Sequence, residues 1–284
     1  MFINVKGRLI DLSHPRVMGI INVTSDSFYE GSRFMSDNQV IAVAGEMLGE
    51  GADILDIGGC STRPGTLPVT EEEEMRRVCG AVELIRNRYP EAVISVDTYR
   101  ASVAGAAVRD AGADIINDIS GGEMDADMFP LVTGLNVPYI MMHMQGTPQN
   151  MQVNPLYDDV VADILKWFGD RITPLQQAGV KDIIVDPGFG FGKSAVHNFE
   201  MLRRLEEFHA ARLPLMVGLS RKSMIWRTLQ VTPGEALTGT VALHMTALMK
   251  GASILRAHDV REAREVIALY EKIYPEGILF DHYS

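Results

Sequence analysis

Short apolar runs alternate with amphipathic segments eight times along the chain, and this alternation limits the fold more than any other feature. The runs are rich in Val, Ile and Leu, which is typical of parallel strands buried on both faces. We predict strands over residues 17–23, 53–57, 93–97, 114–118, 137–142, 182–186, 213–218 and 252–256. Helical patterns follow them at 38–50, 70–88, 100–111, 124–134, 157–178, 197–208, 222–249 and 260–273. Eight such units predict an α/β fold that closes into a TIM (β/α)8 barrel, whereas an open doubly wound sheet is the less favoured packing.

The N-terminal segment and the chain length complete this prediction. Residues 1–13 predict a short β-hairpin that turns at Lys6 and Gly7 and covers the N-terminal mouth of the barrel. A length of 284 residues fits one large α/β barrel, and nothing between the predicted elements resembles a linker. We therefore predict a single domain over residues 1–284.

Composition and charge exclude several classes of function. The chain is 46% hydrophobic and 22% charged, which is typical of a soluble globular protein. No apolar run reaches the roughly 18–20 residues of a membrane span, and Lys6 and Arg8 interrupt the N-terminus, so we expect no signal peptide. The net charge of −11 and the lack of a Lys/Arg cluster argue against a nucleic-acid partner. Cys60 and Cys79 make no disulfide framework, so we expect a cytoplasmic protein.

Polar side chains recur where the predicted strands end. In strand order they are Asn22, Asp56 through Arg63, Asp97, Asn117, Met142 with His143, Asp186, Gly218 through Lys222, and Arg256 with His258. Active sites in this barrel lie at the C-terminal ends of its strands. The chain therefore reads as an enzyme.

One group of these residues consists of hydrogen-bonding acceptors and donors in an apolar neighbourhood, namely Asp97, Asn117 and Asp186. A buried carboxylate accepts two N–H bonds at once, so this set suits a flat heterocycle that carries adjacent N–H donors and a carbonyl. The plainer alternative is that one of the three caps a helix or pairs with a cation in the core.

The second group is cationic. Arginine offers phosphate a bidentate fork and lysine a mobile charge, so the group predicts a phosphate or pyrophosphate site. Loops after the last strands of these barrels often hold such an anion. The alternative for any single member is a surface salt bridge. The group comprises Arg63, Lys222, Arg256 and His258, with Asn22 and Thr62 nearby.

The glycine-rich run DPGFGFGK at 186–193 matches neither the phosphate-binding P-loop nor the dinucleotide fingerprint. Its glycines flank Phe189 and Phe191 and instead let the backbone pass close to a ligand, with an aromatic side chain against it. We include Met141, Gly190 and Gly218 among the residues expected to line the substrate pocket. Cys60 has no partner at ligand spacing, which makes a zinc site improbable.

These motifs, in this order, resemble the dihydropteroate synthase family. The resemblance covers essentially the whole chain through Asn22-Val23-Thr24, SVDT (95–98), IINDI (115–119), MHMQG (142–146), DPGFGFGK, SRKS (220–223) and RAHD (256–259). It implies a transferase that condenses 6-hydroxymethyl-7,8-dihydropterin diphosphate with p-aminobenzoate. The products are 7,8-dihydropteroate and pyrophosphate, with Mg²⁺ as cofactor. It also implies a homodimer formed through the late helices and a target of sulfonamides.

The resemblance also implies roles for single residues. The pterin would be held by Asp97, Asn117, Asp186 and Lys222, and the metal ion by Asn22. The diphosphate would be bound by Thr62, Arg63, Arg256 and His258. The p-aminobenzoate pocket would be shaped by Phe28, Phe191, Ser223 and the loop around Arg63 and Pro64. The catalytic set would be Asp97, Arg63, Lys222, Arg256 and His258.

The implied chemistry is a loose, SN1-like displacement. Because an arylamine is a weak nucleophile, we expect Mg²⁺ and the cationic residues to assist departure of the diphosphate. We expect carboxylates, chiefly Asp97, to stabilise the resulting pterin cation, and Lys222 to orient the ring. No strong general base is needed, because the ammonium proton of the adduct is acidic.

Two positions depart from the common pattern of the family. Ser25 replaces the usual proline, which removes a fixed φ from its loop, and Cys60 replaces the usual glutamate before STRPG. Three other functions stay open: a barrel methyltransferase that holds methyltetrahydrofolate, a non-catalytic pterin-binding barrel, and a sugar-phosphate aldolase or isomerase. The diphosphate cluster argues against the first two and the heterocycle group against the third.

Overall fold

The computed structural model of the protein describes residues 1–23, 36–60 and 69–275. Within them a two-stranded antiparallel hairpin precedes a sheet of eight parallel strands surrounded by helices. The hairpin strands are β1 (Phe2–Val5) and β2 (Arg8–Asp11). The parallel strands are β3 (Arg16–Asn22), β4 (Ile54–Gly58), β5 (Val93–Asp97), β6 (Ile115–Asp118), β7 (Tyr139–Met142), β8 (Ile183–Asp186), β9 (Met216–Val217) and β10 (Ile254–Ala257).

The parallel sheet closes almost completely on itself. Its order is β8-β7-β6-β5-β4-β3-β10-β9, so neighbours in sequence are neighbours in space apart from the β3–β10 pair that joins the two ends of the chain. A single parallel bridge between Val185 and Leu215 links β8 to β9, supported by the Val185 N–H donating to the Pro214 carbonyl at 2.9 Å. The predicted (β/α)8 barrel with its N-terminal hairpin is therefore confirmed.

Helices cover the outside of the barrel. Side-chain caps begin several of them: Ser36 and Gln39 form a capping box at α1, and the Asp159 carboxylate accepts two backbone N–H groups at α5. The helices are α1 (Asp37–Gly49), α2 (Glu71–Arg88), α3 (Ala101–Ala106), α4 (Met128–Leu135), α5 (Val160–Gln177), α6 (Ala195–Arg203), α7 (Ser223–Leu229), α8 (Leu237–Met249) and α9 (Val260–Ile273). None of the helices in the described ranges is long and apolar enough to cross a membrane.

Three predicted helical regions are more broken than expected, and one of them, 197–208, consists of the end of α6 and a separate 3-10 turn over Leu205–Ala211. The region 222–249 is two helices, because Gln230 has a left-handed φ of 57° and Pro233 starts a separate 3-10 turn between them. The region 100–111 begins as an α-helix and ends in a π-turn over Ala107–Ala111, after which Gly112 adopts a φ of 90°. These breaks follow local backbone geometry that an apolar pattern does not encode.

The lower part of the barrel interior is wholly apolar. Each parallel strand contributes one buried side chain, and together they form what we call the lower layer: Met18, Ile54, Val93, Ile115, Ile140, Ile184, Met216 and Ile254. The hairpin packs its own inward side chains, Ile3, Val5, Ile10 and Leu12, against this layer. Lys6 and Gly7 make its turn with φ values of 49° and 83°. The hairpin thus closes the N-terminal mouth, as predicted.

Candidate active site

Two residues beyond the lower layer, the same strands turn sharply more polar. Side chains two apart along a strand face the same side, so the next inward positions form an upper layer: Ile20, Asp56, Ser95, Asn117, Met142, Asp186, Gly218 and Arg256. Asp97 lies one further step toward the C-terminal mouth. A polar interior at this end of a barrel is where its active site is expected.

Arg256 bridges two carboxylates at the centre of this layer. Its Nε donates to Asp56 Oδ2 at 2.7 Å, and its Nη2 donates to Asp97 Oδ2 at 2.6 Å. Asn117 Nδ2 donates to the same Asp56 oxygen at 3.0 Å. The Asp56 side chain has no exposed surface, and that of Arg256 is 18% exposed. One buried carboxylate therefore holds two of the predicted site residues.

This crowding of charge shifts the pKa of Asp97. Burial raises the pKa of Asp97 to about 7, Arg256 opposes the rise, and Asp56 and Glu74 add to it. Arg256 brings one positive charge to two carboxylates. A positive charge that develops beside Asp97 would therefore be stabilised by this site.

Asp186 and Lys222 form the opposite side of the pocket. Asp186 Oδ1 accepts the Gly188 N–H at 2.8 Å, and burial raises the pKa of this carboxyl, with Lys222 opposing. Lys222 Nζ lies 4.3 Å from the centre of the Phe191 ring, in a cation–π contact. Burial lowers the pKa of Lys222 to about 8, Arg256 lowers it further, and Asp186 opposes.

Gly190 allows Lys222 to pack this closely. A Cβ atom at position 190 would lie 3.2 Å from Lys222 Cδ, and the glycine has a φ of +82°. Any side chain there would strain the backbone and push the lysine away. The close approach at Gly190 is therefore to Lys222, and its predicted approach to a ligand stays a prediction.

A buried lysine and histidine support the loop that carries Phe191. Lys193 Nζ donates to the carbonyls of Phe191 at 2.8 Å and His143 at 3.2 Å, and it lies 2.9 Å from His143 Nδ1. Burial lowers the pKa of Lys193 well below its ordinary value. The glycine-rich run is therefore fastened to the end of β7 by its own last residue.

Asn22 lies beside Asp97 across Gly58. The three residues occupy one register row of β3, β4 and β5. A Cβ atom at Gly58 would stand 3.4 Å from Asn22 Oδ1 and 3.6 Å from Asp97 Oδ2, so both oxygens converge on the space above it. No group of three or more His, Cys, Asp or Glu side chains within the described residues could hold a metal ion on its own.

This donor set fits magnesium bound together with a phosphorylated substrate. Mg²⁺ keeps several waters and takes one or two protein oxygens plus substrate phosphates, rather than a full protein cage. The amide oxygen of Asn22 and the neighbouring carboxylate of Asp97 supply hard oxygen ligands of that kind. A protein cage is therefore not needed for the predicted metal.

His258 and Ser223 lie on the rim. The His258 backbone N–H donates to Ser220 Oγ at 3.2 Å, and His258 Nδ1 lies 3.1 Å from the same oxygen. Ser223 is the exposed first residue of α7, directly after Lys222. The structure thus brings Asn22, Asp97, Asn117, Asp186, Lys222, Arg256 and His258 to one end of the barrel.

The structure does not place Met141 in the pocket. Met141 is fully buried in the apolar layer between strands and helices, where its Cγ lies 3.1 Å from the Cβ position of Gly121. The next residue, Met142, points inward instead and packs with Ile119, Met144 and Phe191. The reason is strand alternation: an inward Ile140 requires an inward Met142 and an outward Met141.

Gly218 leaves room in the pocket. A Cβ atom there would meet no atom of the described residues within 4 Å, and the glycine is partly exposed at the end of β9. That Gly218 lines the substrate pocket stays a prediction. The predicted site residues Phe28, Thr62 and Arg63, like Ser25 and Pro64, lie outside the described residues.

Sequence reasoning overlooked the central position of Asp56. The residue appeared only as the start of the segment after the second strand, and it received no role. The available clue was its place within the apolar run ILDIG, two residues after an inward isoleucine. A buried carboxylate in such a run requires partners.

Comparisons with known proteins point the same way. The family model described as "Pterin binding enzyme" matches residues 18–258. The dihydropteroate synthase of Escherichia coli strain K12 is 47% identical over 269 residues, which are 94% of each chain. That of Haemophilus influenzae is 41% identical over 273 residues, 95% of this chain and 98% of the relative.

Solved structures resemble the whole fold. A dihydropteroate synthase from Yersinia pestis, crystallised as a sulfonamide drug complex, superposes with a TM-score of 0.91 at 42% identity and covers 97% of this chain and 100% of its own. A dihydropteroate synthase from Xanthomonas albilineans with 4-aminobenzoic acid superposes with a TM-score of 0.89 at 38% identity, over 96% of this chain and 98% of its own.

Proposed function

We propose that the protein is a transferase with dihydropteroate synthase activity, because this chain belongs to the pterin-binding enzyme family. It condenses 6-hydroxymethyl-7,8-dihydropterin diphosphate with p-aminobenzoate. The family model spans most of the chain, and relatives with that activity in their names are 41% and 47% identical over nearly its full length.

The observation that carries the proposal is the set of open acceptors in the upper layer. Asp186 uses Oδ1 for Gly188 and Asn117 uses Nδ2 for Asp56, while Asp186 Oδ2 and Asn117 Oδ1 have no hydrogen-bond partner among the described residues. Two acceptors of this kind suit the adjacent N–H groups of a pterin ring. Lys222, in contact with the Phe191 ring on the Asp186 side of the pocket, provides a donor for the pterin ring.

The reaction breaks the C–O bond between the pterin methylene carbon and the diphosphate. The electron pair of that bond leaves with the diphosphate, the amine of p-aminobenzoate forms the new C–N bond, and the amine then loses a proton to water. Arg256 Nη1 makes no hydrogen bond to a described residue, so it is available to donate to the phosphate oxygens. Asp97 stabilises positive charge at the methylene carbon.

Magnesium belongs to this proposal as the predicted cofactor. Asn22, with Asp97 beside it, would hold the ion. When bound, the ion neutralises negative charge on the diphosphate. His258 on the rim would add a further donor to the leaving group.

The p-aminobenzoate pocket and the assembly complete the proposal. Phe191 and the exposed Ser223 lie at the mouth, where the second substrate would enter. Apolar side chains on the late helices, including Leu229, Leu269 and Ile273, are 51–62% exposed in the single chain. Their exposure supports the predicted homodimer, and the biosynthetic role supports a cytoplasmic location.

The test is pyrophosphate release from the purified full chain with Mg²⁺ and the pterin diphosphate, with and without p-aminobenzoate. We expect release that depends on p-aminobenzoate and equals the dihydropteroate formed, measured by chromatography. Binding of the pterin without pyrophosphate release in either mixture would overturn the proposal in favour of a methyltransferase or a binding protein.

A further inference from the structure

Asp56 occupies a place in the barrel where a charge is unfavourable. Its side chain is fully buried, its Oδ1 has no hydrogen-bond partner within the described residues, and the neighbouring Ser95 Oγ is likewise unpartnered. The residue two positions earlier in the same strand, Ile54, packs in the lower layer without any polar atom. An aliphatic side chain at position 56 would avoid the desolvation of a carboxylate. Stability alone therefore does not explain this residue.

The bonds of Asp56 point instead to the site above it. A single oxygen, Oδ2, accepts both Arg256 Nε and Asn117 Nδ2. These two side chains come from β10 and β6, on either side of β4 in the sheet. Among the described residues, Asp56 is therefore the one acceptor shared by Arg256, which is assigned to the diphosphate, and Asn117, which is assigned to the heterocycle.

We propose that Asp56 is a positioning residue, which selects the orientation of the Asn117 amide and of the Arg256 guanidinium for the pterin substrate. This inference rests on the proposed function. A carboxylate is an acceptor only, so it attracts the NH₂ group of Asn117 and turns the amide oxygen toward the ligand. It likewise takes Arg256 through Nε and leaves Nη1 for the substrate.

The decisive variant is Asp56→Asn, which keeps the size of the side chain and adds an NH₂ donor. That donor competes with the NH₂ of Asn117 and the Nε of Arg256, so both side chains lose their orientation. We expect kcat/KM for the pterin diphosphate to fall at least tenfold, since loss of support loosens a binding site. The KM for p-aminobenzoate should change less than twofold, because Asp56 holds no residue at the mouth.

Asp114→Asn is the matched control. Asp114 is also a buried carboxylate that accepts from an arginine, Arg86 Nη2 at 2.6 Å, but it lies just before β6, at the end of the barrel away from the site. We expect both kinetic constants of this variant to stay within twofold of wild type. Thermal unfolding of both variants checks that the fold is kept, and Asp56→Ser serves as a second variant if Asp56→Asn does not fold.

A double-mutant cycle separates positioning from general damage. If Asp56 acts in part through Asn117, the loss caused by Asp56→Asn is smaller when Asn117 is already alanine. Fully additive losses, or equal losses for both substrates, would overturn the inference. If the wild type itself shows no turnover, the proposed function fails, and calorimetric titration of the pterin into wild type and Asp56→Asn still tests Asp56: a loss of affinity below tenfold rejects it.

Discussion

The two layers inside the barrel differ in almost every respect although they are built on the same eight strands. The lower layer has eight apolar side chains, sealed from below by the hairpin. The upper layer, two residues further along, carries Asp56, Asn117, Asp186 and Arg256, all tied to one another or to the backbone at its edges.

The difference separates what holds the fold together from what does chemistry. Each lower-layer side chain gains free energy by leaving water, on the order of 2 kcal/mol. The upper layer desolvates carboxylates whose ion pairs seldom repay that loss fully. The lower layer shows that apolar side chains are enough to fill the barrel. The polar side chains of the upper layer are therefore expected to serve the ligand.

The largest effects should come from breaking the charge bridge of the upper layer. Arg256→Ala leaves Asp56 and Asp97 facing each other without a cation, and we expect turnover to fall at least tenfold and the free energy of unfolding to drop by about 3–5 kcal/mol. Asp97→Asn also removes a charge from the site, and its turnover should likewise fall at least tenfold. Steady-state kinetics and denaturant unfolding measure both quantities.

The two variants differ in stability, which makes them controls for each other. Burial raises the pKa of Asp97 to about 7, so folding gains little from its charge, and the free energy of unfolding of Asp97→Asn should lie within about 1 kcal/mol of wild type. Near-normal turnover in either variant would contradict the role assigned to that residue. A large loss of stability in Asp97→Asn would show that the Arg256–Asp97 pair supports the fold instead.

The lower layer should show the opposite behaviour. Ile184→Ala opens a cavity beneath the site and should lower the free energy of unfolding by about 2–4 kcal/mol. The kcat/KM of the folded protein should stay close to wild type, since Ile184 packs in the apolar lower layer and not among the polar side chains of the upper one. Val196→Ala, at a position 75% exposed on α6, is the control and should change stability little. A tenfold loss of kcat/KM in Ile184→Ala would contradict the conclusion that the lower layer serves stability and the upper layer serves activity.

A third, smaller effect concerns a buried polar group outside both layers. His244 on α8 is 1% exposed and neither ring nitrogen has a partner among the described residues. Burial lowers the pKa of His244 from 6.5 to about 4. The unfolded chain therefore takes up the proton first as the pH falls below 6.5, and the folded state loses stability between pH 6.5 and 4. At pH 5 the loss from this group is about 2 kcal/mol.

Replacing His244 should remove that loss. His244→Leu should keep more of its stability than wild type when the pH is lowered from 7 to 5, by about 2 kcal/mol in urea unfolding. His14→Gln replaces an exposed histidine instead, and its free energy of unfolding at pH 7 should stay within about 0.5 kcal/mol of wild type. Parallel curves for His244→Leu and wild type would mean that His244 is solvated in the folded protein.

Much of the fold could be predicted from the chain because the apolar strand pattern repeats. The strand over 93–97 and the helix over 260–273 were predicted to the residue, and the hairpin was found from its Lys6-Gly7 turn. The break after Leu229 was not, because a left-handed Gln230 leaves no apolar signature. Local backbone geometry limits prediction more than the order of elements does.

The site was predictable where chemistry and strand ends coincide, as at Asp97 and Asp186. It was not predictable where the facing of a side chain decides its role. Met141 and Met142 are chemically identical, and only the register of β7 sends the second one inward. Asp56 was missed because its importance lies in two partners that are distant in sequence, Asn117 and Arg256.

The smallest effect we predict tests the space of the upper layer rather than its charge. Gly218→Ala adds one methyl group that would meet no described atom within 4 Å, at a residue whose φ is not left-handed, so the fold should be unaffected. If the open space belongs to the pterin, the methyl group should raise the KM for the pterin diphosphate roughly three- to tenfold, about 1 kcal/mol. The KM for p-aminobenzoate should stay unchanged.

Gly169→Ala is the matched control for this variant. Gly169 lies on the exposed face of α5, where an added Cβ also meets nothing within 4 Å, and alanine there should stabilise the helix by up to about 1 kcal/mol. Gly218→Ala and Gly169→Ala add the same methyl group, so a difference in KM between them reflects only the position of that group. Equal KM values for the pterin diphosphate in both variants would mean that substrate does not fill the space above Gly218.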